Sequence, residues 1–112
     1  MTFDQQVTIP GDATYRLSPQ IKKYTLGDLG FITNNAGAYT LHRSLEPEKA
    51  LANAVKLKVT VNPDLTGFKM STVSAGDVVR VDIFKNQHAA EMVPLYHFFV
   101  DELVARGVLE KI

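Results

Sequence analysis

Between Val55 and Asn62 the chain alternates strictly. Val55, Leu57, Val59 and Val61 are apolar, and Lys56, Lys58, Thr60 and Asn62 are polar. A period of two is the signature of a strand with one buried face. Asn62-Pro63-Asp64 then turns the chain, and Phe68, Met70 and Thr72 alternate with Lys69, Ser71 and Val73. A second turn, Ala75-Gly76-Asp77, leads to Val79, Val81 and Ile83 in alternation with Arg80 and Asp82. Three strands joined by short turns predict an antiparallel meander.

Upstream, Phe31-Ile32-Thr33 and Tyr39 to Leu45 flank Asn34-Asn35-Ala36-Gly37 and read as a hairpin, with Tyr39, Leu41 and Leu45 on one face and Arg43 the exception. Ala13, Tyr15 and Leu17 alternate with Thr14 and Arg16 after the turn Pro10-Gly11-Asp12, which predicts a short strand. Tyr24-Thr25-Leu26 reads as another short strand, and Glu46 to Asn53, behind Pro47, as one short helix.

The C-terminal segment changes period. Met92, Tyr96, Phe99 and Leu103 recur at four, three and four residues, with Leu95 and Val100 beside them, which predicts an amphipathic helix of about four turns. Pro94 is expected in its first turn, since deeper in a helix proline removes a hydrogen bond. Arg106-Gly107 supplies the stop, and Val108 to Ile112 an extended tail. A half-buried sheet needs a cover, and this helix carries a matching stripe. The expected architecture is α+β, an antiparallel, meander-rich sheet packed on one long C-terminal helix. With no linker or repeat, residues 1–112 read as one domain.

Composition narrows the chemistry. The 112 residues hold 12 basic and 12 acidic side chains and no cysteine. Zero net charge argues against a nucleic-acid or membrane protein that works by bulk charge. Without cysteine there is no disulfide, thiol nucleophile or thiolate metal site. The N-terminal stretch has Asp4, Gln5 and Gln6 where a signal peptide needs an apolar run, and no apolar stretch approaches the ~20 residues of a membrane span, so a cytoplasmic location is expected.

No nucleotide-binding, metalloprotease, calcium-loop or nucleophile-elbow motif is present. The three histidines, His42, His88 and His97, do not form a ligand set, so neither a metal nor a cofactor is expected. His97 and Asp101 lie one helical turn apart and could orient an imidazole as a general base; with His42 they are the only catalytic candidates, and a surface pair is the commoner outcome. Phe98 falls on the polar side of the helical wheel, which makes it a candidate interface residue unless a terminal segment covers it. If Leu57 and Val59 point inward, Lys56, Lys58, Lys69 and Arg80 share the outer face with Asp82 alone opposing them. That is a candidate ligand surface for an anionic ligand, an acidic protein or RNA backbone, without the aromatic rings that RNA recognition favours. A solvated sheet face is the commoner outcome here too.

Four strings carry a resemblance: Lys23 to Phe31 (KYTLGDLGF), Tyr39 to Pro47 (YTLHRSLEP), Lys56 to Val61 (KLKVTV) and Val81 to Lys85 (VDIFK). Together they resemble an uncharacterised family of small proteins from lactic-acid and related Gram-positive bacteria, a domain of unknown function with a suggested role in amino-acid metabolism. The resemblance implies an α+β fold with a curved antiparallel sheet, similar to the TATA-binding-protein-like group. It also implies a link, by gene neighbourhood, to amino-acid or sulfur metabolism, with cysteine desulfurase among the proposed neighbours. It carries no catalytic residues. A chain without cysteine cannot itself carry a persulfide, so in a sulfur-handling system it would bind, position or regulate.

Three functions follow as expectations. The first is a non-catalytic accessory or binding protein with a protein partner in amino-acid or sulfur metabolism. The second is a small enzyme using a His/Asp pair, and the third an RNA- or anion-binding module using the basic sheet face. Self-association is left open, a nucleic-acid partner is disfavoured and no membrane is involved.

Overall fold

The computed structural model describes residues 3–77 and 79–112. Two antiparallel sheets and one long helix share a core. The smaller sheet has the order β1-β2-β7, from β1 (Gln6–Thr8), β2 (Thr14–Leu17) and β7 (Leu109–Lys111). The larger has the order β3-β4-β5-β6, from β3 (Ile32–Thr33), β4 (Tyr39–Ser44), β5 (Lys56–Val61) and β6 (Phe68–Val73). The helices are α1 (Lys23–Asp28) and α2 (Ala89–Ala105).

The alternation of β5 and β6 does what its period predicts. Leu57, Val59, Val61, Phe68 and Met70 are buried in one cluster with Met92, Tyr96, Val100 and Leu103 of α2. The α+β architecture with antiparallel sheets and a long C-terminal helix is therefore present. The β3-β4 hairpin forms around Asn34, whose Oδ1 accepts the N–H groups of Ala36 and Ala38 at 3.0 Å each. Arg43, the exception on β4, donates through its guanidinium to the Leu29 carbonyl and, at 3.1 Å, to the His42 carbonyl. Gly107 ends α2 at φ 77°, with Val108 N–H bonded to Leu103 C=O at 2.9 Å. The segment beyond it is extended as expected, and its strand β7 completes the small sheet by pairing with β2.

Four expectations are corrected. Tyr24-Thr25-Leu26 lies in helix α1: the buried positions are Leu26 and Leu29, three apart, while Tyr24 is exposed, so the apolar period is helical. Glu46 to Asn53 holds only a 3-10 turn at Leu51–Asn53, because Glu46 Oε1 accepts Val55 N–H at 2.9 Å and fastens the segment as a loop. Pro94 is the sixth residue of α2, not within its first turn; the helix starts upstream at Ala89, and burial of Met92, Tyr96, Val100 and Leu103 offsets the missing hydrogen bond. Val79 to Ile83 is not a third meander strand. It touches β6 through Ser74 N–H to Val79 C=O (2.8 Å) and Val81 N–H to Thr72 C=O (2.9 Å), then peels away. The Thr72 hydroxyl takes the Val81 carbonyl, and Asp82 Oδ1 accepts Phe84 N–H at 3.0 Å, which turns the chain off the sheet.

Candidate functional site

The outer face of the larger sheet is where the predicted cations meet structure. In register, His42 stands opposite Lys58 and Lys58 opposite Ser71, while Ser44, Lys56 and Val73 form the next row. The turn Ala75–Asp77 folds over these rows. Asp77 sits at φ 61°, a conformation that aspartate tolerates better than most residues. Its carboxylate gathers three partners. His42 Nε2–H donates to Oδ2 at 2.8 Å, the Lys58 ammonium lies 3.5 Å from Oδ2, and the Lys56 ammonium lies 3.0 Å from Oδ1. A carboxylate only accepts, which sets the proton on Nε2. Asp77 Oδ1 is shielded from solvent and has no aligned hydrogen bond among the described residues, so the Lys56 contact there is an ion pair. Burial pushes the Asp77 carboxyl up, but the Lys56 ammonium and the His42 ring outweigh that and pull it down to about 2. Lys56, expected on an open face, is only 4% exposed: its side chain points off the core as the alternation predicts, but the turn covers it.

Lys69 and Arg80 lie apart from this cluster, along the free edge of β6. Arg80 is in register with Val73, and Lys69 is four residues back along the strand, roughly 13 Å at ~3.3 Å per residue. The Lys69 ammonium stands 4.4 Å from the centre of the Phe3 ring. Both cations line a groove of about 690 Å³ whose opposite wall is the β1 segment. Asp4, Asp82, Gln6, Thr8 and Ser71 also face it, so carboxylates and cations occur together on its walls. Phe84 and Pro10 also line it. Alternation places Lys69 and Arg80 on the sheet but gives no sign of Asp4 or the groove, because β1 meets β6 through long-range contacts, the pair of backbone bonds between Asp4 and Phe68 (3.1 and 2.8 Å) and the stacking of Lys69 on Phe3.

Comparison with known proteins bears on the same chain. A family model described as "Putative amino acid metabolism", DUF1831, matches residues 1–110. The chain belongs to the DUF1831 family. A solved structure similar to it is the crystal structure of a DUF1831 family protein from Lactobacillus plantarum, with 44% sequence identity and a TM-score of 0.88, covering 100% of this chain and 99% of that one. No curated protein matches.

In this DUF1831 chain the catalytic candidates are not gathered at the groove. His42 is engaged by Asp77 on the outer face. His97 packs its ring against Tyr96 (5.2 Å between centroids) and Phe84 (6.2 Å). No hydrogen bond joins it to Asp101 among the described residues. Phe98 is 62% exposed with its ring on Phe99, and among the described residues neither terminal segment covers it. Among the described residues no group of three or more histidine or acidic side chains is placed to hold a metal ion, and no helix is long and apolar enough to cross a membrane.

One polar cluster had no signal in the sequence. Asp12 Oδ2 accepts hydrogen bonds from both Tyr15 and Tyr96, each at 2.7 Å, and so ties the turn after β1 to β2 and α2. Both hydroxyls are pushed well above the ordinary tyrosine range, first by burial and then by the neighbouring Asp12 carboxylate.

Proposed function

We propose that this protein is a binding module whose site is the groove between β1 and β6, and that its ligand is a small zwitterion of the amino-acid class. The observation that carries the reading is the pairing of charges on the groove walls. Lys69 and Arg80 suit a carboxylate, and Asp4 and Asp82 suit an ammonium group. The volume lies within the range of small-molecule sites. The family description, amino-acid metabolism, points to the same ligand chemistry. In this reading the protein holds a metabolite for other proteins and contributes no nucleophile of its own. The rival reading as an RNA-binding face has less support, because Asp77 engages two of the four cations on which it rests.

Isothermal titration calorimetry with a panel of free amino acids tests the reading. Saturable binding is expected. Lys69→Gln and Arg80→Gln are each expected to weaken it by about ten- to a hundredfold, the effect of losing one charge-assisted hydrogen bond. Phe98→Ser, outside the groove, leaves it unchanged. No saturable binding to any amino acid overturns the reading.

A further inference from the structure

The groove is bounded by two strand edges whose backbone groups face into it. In an antiparallel strand, successive residues direct their N–H and C=O alternately to one neighbour and the other. Phe68 bonds outward to Asp4 and Thr72 bonds outward to Val81, so Met70, between them, also directs both backbone groups outward. Nothing among the described residues pairs with them, and Thr72 N–H is left over because the Thr72 hydroxyl has taken the Val81 carbonyl. Met70 buries its side chain in the core and lines the groove, and a strand edge with unpaired backbone groups is open to the addition of another strand.

The facing wall has the same character. Ile9 N–H bonds to Ala13 C=O at 2.9 Å on the β2 side, while Asp4 bonds to Phe68 on the other side. Alternation then directs the backbone groups of Gln6 and Thr8 away from β2, toward the groove, and they too lack partners among the described residues. The gap between the Asp4–Phe68 and Val73–Arg80 bridges exists because the chain after Arg80 peels off at Asp82.

We infer that the groove takes its ligand as a short extended peptide of about four residues, added as a strand along the β6 edge. This rests on the groove being the ligand site and names the class of ligand. The five residues from Phe68 to Thr72 span four steps, roughly 13 Å, the length of an extended tetrapeptide, with the bonded ends at Asp4 and Val81 marking its limits. The peptide's N–H and C=O meet the free groups of Met70, and its charged ends meet Lys69 or Arg80 and Asp4 or Asp82. A free amino acid offers the charges without the ladder.

Calorimetry on the full chain separates the two. The probes are tetra-alanine, tetra-alanine N-methylated at its central peptide bond, and free alanine, with amide hydrogen exchange at Met70 read in parallel. Tetra-alanine is expected to bind at least tenfold more tightly than alanine, to lose at least tenfold on N-methylation, and to slow exchange at Met70. Equal binding of the methylated peptide, or unchanged exchange at Met70 at saturation, overturns the peptide inference. Binding of alanine without binding of tetra-alanine also overturns it while leaving the amino-acid reading intact. Binding of neither overturns both.

Discussion

Lys56 and Asp77 face each other across 3.0 Å on the outer side of the larger sheet, one from its central strand and one from a turn at positive φ. The pair joins the turn to the sheet immediately before Arg80 enters the groove wall. A lysine this deeply covered is tolerable only with its carboxylate in place, since an ammonium removed from water and left unpaired is strongly destabilising. Asp77→Asn keeps the shape and the tolerance for positive φ but removes the charge. It is expected to cost on the order of 2–3 kcal/mol in chemical denaturation, below the full cost of a deeply buried pair because Asp77 retains some exposure. Lys56→Met made together with Asp77→Asn is expected to recover most of that loss.

The same pair sets an acid limb. A carboxyl held at about 2 in the folded state contributes stability that is fully present above its unfolded value of ~3.9 and is lost as pH falls toward 2. Between pH 4 and pH 2 the protein is expected to lose on the order of 2 kcal/mol more than Asp77→Asn does. Denaturant titrations across that window measure the difference, and parallel pH profiles would contradict the assignment.

At the other end of the scale, Tyr15 and Tyr96 are raised by burial and by Asp12. Their stabilisation is present below the unfolded value of ~10 and is lost as pH rises above it, as the protons held in the folded state are given up on unfolding. Stability is expected to decline above pH 10. Tyr96→Phe is expected to flatten that decline and to cost about 1–2 kcal/mol at pH 7, by leaving Asp12 one donor short. Thermal denaturation at pH 7 and pH 10.5 checks both.

Gly30 sits at φ 99°, and a Cβ there would lie 2.7 Å from Arg43 Nη2. Gly30→Ala combines a disfavoured backbone conformation with displacement of the guanidinium from the Leu29 carbonyl, and is expected to lower stability by more than about 1 kcal/mol. Phe98→Ser, on the exposed side of α2, is expected to stay within about 0.5 kcal/mol of the parent. Melting curves of the two variants provide the contrast.

How much of this was legible in the sequence depended on whether the determining contacts were local. The period of two over β5 and β6 and the helical stripe of Met92, Tyr96 and Leu103 are local signals, and each placed its element. Phe98 was legible as the apolar residue on the wrong side of the wheel, and it is exposed. Lys56 was legible only as a side chain pointing off the core, since its cover is a turn some twenty residues away. The groove was not legible, because its walls meet through backbone bonds between Asp4 and Phe68 that carry no side-chain pattern. Tyr24 to Leu26 misled because alternation over three residues cannot distinguish a strand from a helical turn.

Everything proposed for this protein turns on the β1–β6 groove being the ligand site. Amide chemical-shift mapping during titration with an amino acid or short peptide tests it most directly. Saturable shifts are expected at Gln6, Thr8, Met70, Ser71 and Arg80, with His42, Phe98 and Lys111 unmoved. Shifts centred on the Asp77 cluster or on α2, with the β6 edge silent, would contradict it.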